Sequence, residues 1–195
     1  ITLGTSWVYE HKKAGIIVSN NHKLPSNQFH RYRLDVEQIV NYLAGAITKL
    51  RTQNPGLQVI FTISPIRHWK DGPAENQLSK ATLIVAVHQL IEKLKNTDYF
   101  PAYEIMMDDL RDYRFYNDDM IHLSNTAVQY IWDKFRKVYI SSQAEHLMRK
   151  LEKIVKATEH KPFNHNSDRF KEFARNSLSR IEQLQKQLPY LDFSE

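Results

Sequence analysis

Asp119 and His122 stand three residues apart in the stretch Tyr113-Arg114-Phe115-Tyr116-Asn117-Asp118-Asp119-Met120-Ile121-His122-Leu123-Ser124, which holds no glycine and runs straight into an apolar-periodic segment. In a loop entering a helix, a carboxylate at that spacing reaches the near ring nitrogen of the histidine and leaves the far nitrogen free as a general base. The pair is half of a hydrolytic triad. Ser124 reads as the N-cap of the following helix, whose positive end disfavours a protonated imidazole and keeps it in the form a base needs. The same spacing also suits a plainer role, a loop aspartate bonding its own turn beside a helix-capping histidine.

Other candidates follow short apolar runs. Residues 1–4, Ile-Thr-Leu-Gly, fit the last residues of a buried parallel strand, which puts Thr5, Ser6 and Trp7 at its carboxyl end, where open α/β sheets place their ligands. Ile16-Ile17-Val18 is a second β run, and Asn20, Asn21 and His22 in the polar loop after it can donate to an oxyanion or simply satisfy their own backbone. Residues 57–63, Leu-Gln-Val-Ile-Phe-Thr-Ile, form the strongest strand pattern in the chain and read as a strand covered on both faces. The polar, aromatic loop after it holds Arg67 and His68. Either can contact a substrate, and Arg67 can equally pair with a nearby carboxylate.

The elements that must position these residues alternate. Apolar residues recur every three or four positions over 34–50 and 74–95, which predicts two helices on a sheet; residues 103–107 predict a third strand, and 125–139 a helix whose Val128, Ile131, Trp132 and Phe135 face the core. Two amphipathic helices over 144–157 and 168–188, parted by a break at 160–166, predict a C-terminal hairpin that joins Leu147, Leu151, Ile154 and Val155 to Phe170, Phe173, Leu178, Ile181 and Leu184. Strand-helix alternation with polar loops describes an α/β, three-layer, flavodoxin-like domain over 1–140, with residues 141–195 as a helical extension.

Composition narrows the function classes. The chain has 195 residues, enough for a core, with 42% hydrophobic residues to fill it. Its 27 Lys and Arg exceed 22 Asp and Glu without a concentrated stripe before residue 147, so the excess favours solvated faces over a nucleic-acid surface. The absence of cysteine removes disulfides, thiolate metal sites and a cysteine nucleophile. No apolar run approaches the ~20 residues of a membrane span, and no basic-then-apolar leader opens the chain. The expectation is a cytoplasmic protein with no metal, no cofactor, no nucleic acid and no membrane partner.

Five blocks of residues resemble the GSCFA family: residues 3–10 (Leu-Gly-Thr-Ser-Trp-Val-Tyr-Glu), 20–25 (Asn-Asn-His-Lys-Leu-Pro), 64–68 (Ser-Pro-Ile-Arg-His), 103–116, and Asp119 to His122. That resemblance implies the wider SGNH, GDSL-like, hydrolase superfamily, whose members cleave esters or transfer acyl groups with an Asp-x-x-His pair. It makes His122 the base and Asp119 its orienting partner. Two departures are local: Asn21 stands where the family usually has Cys, and Leu123 where it usually has Pro. The Gly-Ser-Cys-Phe-Ala stretch that would hold the serine nucleophile does not occur in the chain, so the nucleophile is expected to precede Ile1.

The expected activity is a serine ester hydrolase or acyltransferase acting on an acylated carbohydrate or similar small ester. The Gly4 N–H or Asn20 would hold the oxyanion, with Trp7, His22, Arg67 and His68 around the substrate. The alternative is a non-catalytic carbohydrate- or protein-binding relative of the same fold. In the family-like strand order a missing first strand exposes the edge of residues 1–4, so a preceding segment or a second copy of the chain is expected to cover it.

Overall fold

The computed structural model describes residues 1–21, 23–158 and 167–190, which form two compact units, 1–135 and 136–195. In the first unit β1 (Thr2–Leu3) is followed by β2 (Trp7–His11), β3 (Ile16–Val18) and β4 (Phe29–Arg33). Next come α1 (Val36–Gln53), β5 (Val59–Ile63), α2 (Gly72–Lys93) and β6 (Thr97–Tyr99). A helical turn, α3 (Ala102–Glu104), continues as the π-helical Ile105–Asp109 and precedes α4 (Asn125–Tyr139).

β5 lies between β1 and β6 and is parallel to both, with Thr2 opposite Thr62 and Val59 opposite Thr97. Its alternate residues Val59, Phe61 and Ile63 enter the core with Ile39, Val40 and Ile47 of α1 and Leu83, Val87 and Leu90 of α2. Helix α1 starts sharply because Asp35 and Gln38 form a reciprocal capping box: Gln38 N donates to the Asp35 carboxylate at 2.8 Å and Asp35 N to the Gln38 side chain at 3.0 Å. The architecture is mixed α/β around a parallel three-stranded sheet.

Three expectations from sequence are corrected. The parallel sheet does not stand alone: Trp7, expected with Thr5 and Ser6 at the carboxyl end of the first strand, opens β2 of a separate antiparallel sheet in the order β3-β2-β4. Residues 103–107 are helical, not a strand: Ala102, Tyr103, Met106 and Leu110 are the buried positions, a helical spacing, and Pro101 opens the turn. The strand sits earlier, at β6, just after Asn96 turns the chain with a positive φ of 53°. The α4 stripe is not sealed core, since Val128 is 54% exposed and Trp132 37% exposed.

That stripe lines an open apolar groove of about 510 Å³ together with Ile60 and Thr62, the residues of β5 that point away from α1 and α2. Ile1, 53% exposed, lies at its rim beside the edge strand β1.

The second unit holds α5 (Ser142–Thr158) and α6 (Asp168–Gln187). Ile154 and Leu184 are buried, and Ser167 caps α6 by accepting from Phe170 N at 3.2 Å. Arg136 and Arg149 both donate to Glu145, at 2.9 and 3.0 Å. Val155 and Leu178, expected in the seam between the helices, are 50% and 58% exposed. The break expected at 160–166 lies outside the described residues. Among the described residues, no helix is long and apolar enough to cross a membrane.

Because Phe61 is fully buried in β5 while Ile16 of β3 is 57% exposed, Phe61→Ala is expected to cost about 3–5 kcal/mol and Ile16→Ala less than about 1 kcal/mol. Urea unfolding of the two variants against the unaltered chain measures the difference.

Candidate functional site

The Asp-x-x-His stretch is a closed loop. Tyr113–Phe115 makes a 3-10 turn capped by Asp112, and Tyr116 then bridges to Leu123. Asn117 N donates to His122 O at 2.8 Å, Ser124 N to Phe115 O at 2.9 Å, and Met120 takes a positive φ of 60° at the tip. Within that loop one oxygen of Asp119 accepts from the backbone N–H groups of Ile121 and His122, both at 2.9 Å. The other accepts from His122 Nδ1 at 2.5 Å. One side chain thus both bonds its own turn and holds the ring by Nδ1. The imidazole at 122 and these two N–H donors hold the Asp119 carboxyl down at about 2.

Ser124 begins α4 as expected, its Oγ accepting from Ala127 N at 3.4 Å and its carbonyl from Val128 N at 3.0 Å. The pair is open to solvent, with the His122 side chain 60% and the Asp119 side chain 47% exposed. With Nδ1 committed to the carboxylate, Nε2 has no hydrogen-bond partner among the described residues.

Helix α2 builds a buried rim. Lys80 of α2 is fully buried and donates from Nζ to the carbonyls of Gly4 and Ser64, both at 2.6 Å. Those carbonyls end β1 and β5, so one ammonium ties together the carboxyl ends of two parallel strands. Its neighbour Ser79 accepts from Ser6 N at 2.8 Å and bonds the hydroxyls of Ser6 and Thr5, both at 3.0 Å. The His68 ring packs on Gly4 so closely that a Cβ there would lie 3.1 Å from Nε2. Burial, then the nearby Lys80 charge, push the His68 imidazole below its ordinary value, and Asn76 fixes its backbone by accepting from His68 N at 2.9 Å.

Lys80 and Ser79 were missed in the sequence, although the signal is there. Asn76, Ser79, Lys80, Leu83, Val87 and Leu90 recur at helical spacing and form the buried face of α2, while Leu78, expected on that face, is 47% exposed. A lysine on an apolar stripe marks a buried ammonium in search of carbonyls.

Arg67 links rim and loop: its Nη2 donates to Met120 O, two residues before His122. Trp7 starts β2 under the Arg31 guanidinium, 4.3 Å from its ring centroid, and Arg31 in turn pairs with the buried Asp71 of the rim loop. β3 runs antiparallel to β2 with Val18 opposite Tyr9, so Asn20 leaves the ribbon toward its Trp7 end. His22 lies outside the described residues. The structure thus brings Gly4 to His68 and Arg67 to the Asp119–His122 loop. Among the described residues, no hydrogen bond joins His122 to Gly4, Trp7 or His68.

Residues 1–135 match the family model described as the GSCFA family, and residues 151–195 match the model described as the GSCFA domain protein, C-terminal domain. The chain belongs to the GSCFA family. No curated protein and no solved structure matches it. The GSCFA match covers every residue named above, from Gly4 through the loop of His122, and the five sequence blocks that pointed to the family fall within it.

Burial holds the Lys80 amine down at about 8, against 10.5 when exposed. Between those values the unfolded chain keeps a proton that the folded chain has lost, so stability rises with pH across that window. Below pH 8 both forms are charged and the folded state bears the full cost of burial. The unfolding free energy of the unaltered chain, relative to that of Lys80→Met, is expected to rise by up to about 3 kcal/mol from pH 8 to 10.5. Urea midpoints measured for both proteins along a pH series check it.

Proposed function

We propose that this GSCFA protein supplies the acid–base part of a serine acyl hydrolase or acyltransferase of the SGNH, GDSL-like type, built on a three-layer flavodoxin-like frame. The observation that carries the reading is the short His122 Nδ1 bond to Asp119, which leaves Nε2 open on a loop that Arg67 holds by the Met120 carbonyl. The substrate is an acylated carbohydrate or similar small ester. A serine from a segment preceding Ile1 attacks the ester carbonyl carbon while His122 Nε2 takes the hydroxyl proton. The carbonyl π electrons move to oxygen, and the Gly4 N–H or the Asn20 side chain holds the resulting oxyanion. Collapse expels the alcohol, which takes the proton back from the imidazolium. A water or sugar hydroxyl then repeats the sequence on the acyl-serine.

The exposure of the pair fits this division of labour. A His–Asp pair in open water gains little from its ion-pair geometry, and the segment that presents the serine also dries the pair. The same exposure supports a second reading, in which the rim and loop bind a carbohydrate or protein without turnover.

In protein that includes the segment preceding Ile1, His122→Ala is expected to lower the rate of p-nitrophenyl acetate hydrolysis by about 10²–10⁴-fold. An unchanged rate removes His122 from the mechanism, and no hydrolysis by the unaltered protein favours the binding reading. Because Asp119 titrates at about 2, its orienting bond is present above the ordinary carboxylate range and lost only as pH falls through about 2. Any fall in rate between pH 8 and 4 is therefore expected to persist, at lower amplitude, in Asp119→Asn.

A further inference from the structure

Arg67 is the arginine of this region without a carboxylate. Arg31 pairs with Asp71, Arg111 with Asp108 at 2.6 Å and Arg114 with Asp112 at 3.8 Å. Among the described residues, Arg67 has no carboxylate partner; its Nη2 holds the neutral carbonyl of Met120, and its buried Nε has no acceptor. The guanidinium is fixed all the same. It lies over the rings of Tyr116 and Trp69, 5.1 and 5.6 Å from their centroids, so aromatic faces rather than a counter-ion stabilise the charge.

This unneutralised cation lines a pocket of about 220 Å³ with Arg111, Tyr113, Tyr116 and the two methionines 106 and 107. Asp112 also lines it, but its carboxylate is engaged by the Arg114 backbone N–H at 3.1 Å and by the Arg114 side chain. The methionines come from the π-helical turn, a rare backbone geometry that recurs at functional sites. Arg67 thus shares the pocket with Arg111, which is already paired with Asp108, with Tyr113 and Tyr116, and with one occupied carboxylate. A planar fork of donors held this way is built for a carboxylate or phosphate.

We infer that the pocket lined by Arg67, Arg111, Tyr113 and Tyr116 binds an oxyanion, so that the ester acted on at His122 carries a carboxylate or phosphate group away from the scissile carbonyl. The substrate assignment rests on the acyl-transfer reading, whereas the oxyanion site stands on the Arg67 geometry alone. On this assignment the anion docks on the outer Nη1 edge of Arg67 while Nη2 keeps its hold on Met120. Neutral esters lack the group that the pocket is shaped to take.

The test is equilibrium binding of succinate, inorganic phosphate and uncharged dimethyl succinate to the chain, followed by calorimetry and by NMR shifts of the Arg67 Nε–H and Tyr116 amide. Succinate or phosphate is expected to bind and dimethyl succinate not to, and the tighter of the two anions assigns carboxylate or phosphate. Arg67→Met is expected to weaken binding at least tenfold, Arg67→Lys less, and Ile16→Ala, on the exposed face of β3, not at all; amide spectra confirm that each variant is folded. Equal binding of succinate and its dimethyl ester, or native affinity in folded Arg67→Met, overturns the site. Anion binding that follows Arg67, in a protein that with its preceding segment present hydrolyses neither p-nitrophenyl acetate nor the carboxylate-bearing mono-p-nitrophenyl succinate, leaves the site standing and removes the acyl-transfer reading.

Discussion

One buried ammonium organises the rim. An isolated charge in a protein interior is costly, and Lys80 is tolerated because two strand-end carbonyls, Gly4 and Ser64, accept from it at 2.6 Å. Among the described residues no carboxylate takes part, so the geometry is set by backbone carbonyls. Moving either strand end would orphan a donor inside the core. That constraint fixes Gly4 against the His68 ring and starts the loop that carries Arg67. Adjacent Ser79 extends the same device to Thr5 and Ser6, so two consecutive residues of α2 position the chain from Gly4 into β2.

The loop of Asp119 and His122 is held by different physics. It is exposed, closed by backbone bonds between Asn117 and His122 and by the Tyr116–Leu123 bridge, and its carboxylate draws on three donors within four residues of sequence. Local bonds of this kind define a shape without burying surface, so the loop carries its own geometry wherever it is placed. Phe115, Tyr116 and Leu123, packed on Met106, Leu110 and Ala127, supply the placement together with Arg67. Its bond to Met120 O is the described link from the rim loop, and the rings of Trp69 and Tyr116 keep the guanidinium from swinging away.

Local chemistry was legible in the sequence and long-range satisfaction was not. The Asp119–His122 pair, the Ser124 cap, β5 and the ends of α1 follow from spacing, caps and apolar period, which act within a few residues. The strand expected at 103–107 failed because Ile105, Met106 and Met107 make a short apolar run that suits either period, and only the burial of Tyr103, Met106 and Leu110 decides for a helix. The ribbon of β2 and β4 stayed hidden because β4 carries Arg31 and Arg33, whose partners lie far along the chain. Arg31 meets Asp71 and Arg33 meets Thr82 of α2 at 3.1 Å. Lys80 was hidden for the same reason: its acceptors are sixteen and seventy-six positions away.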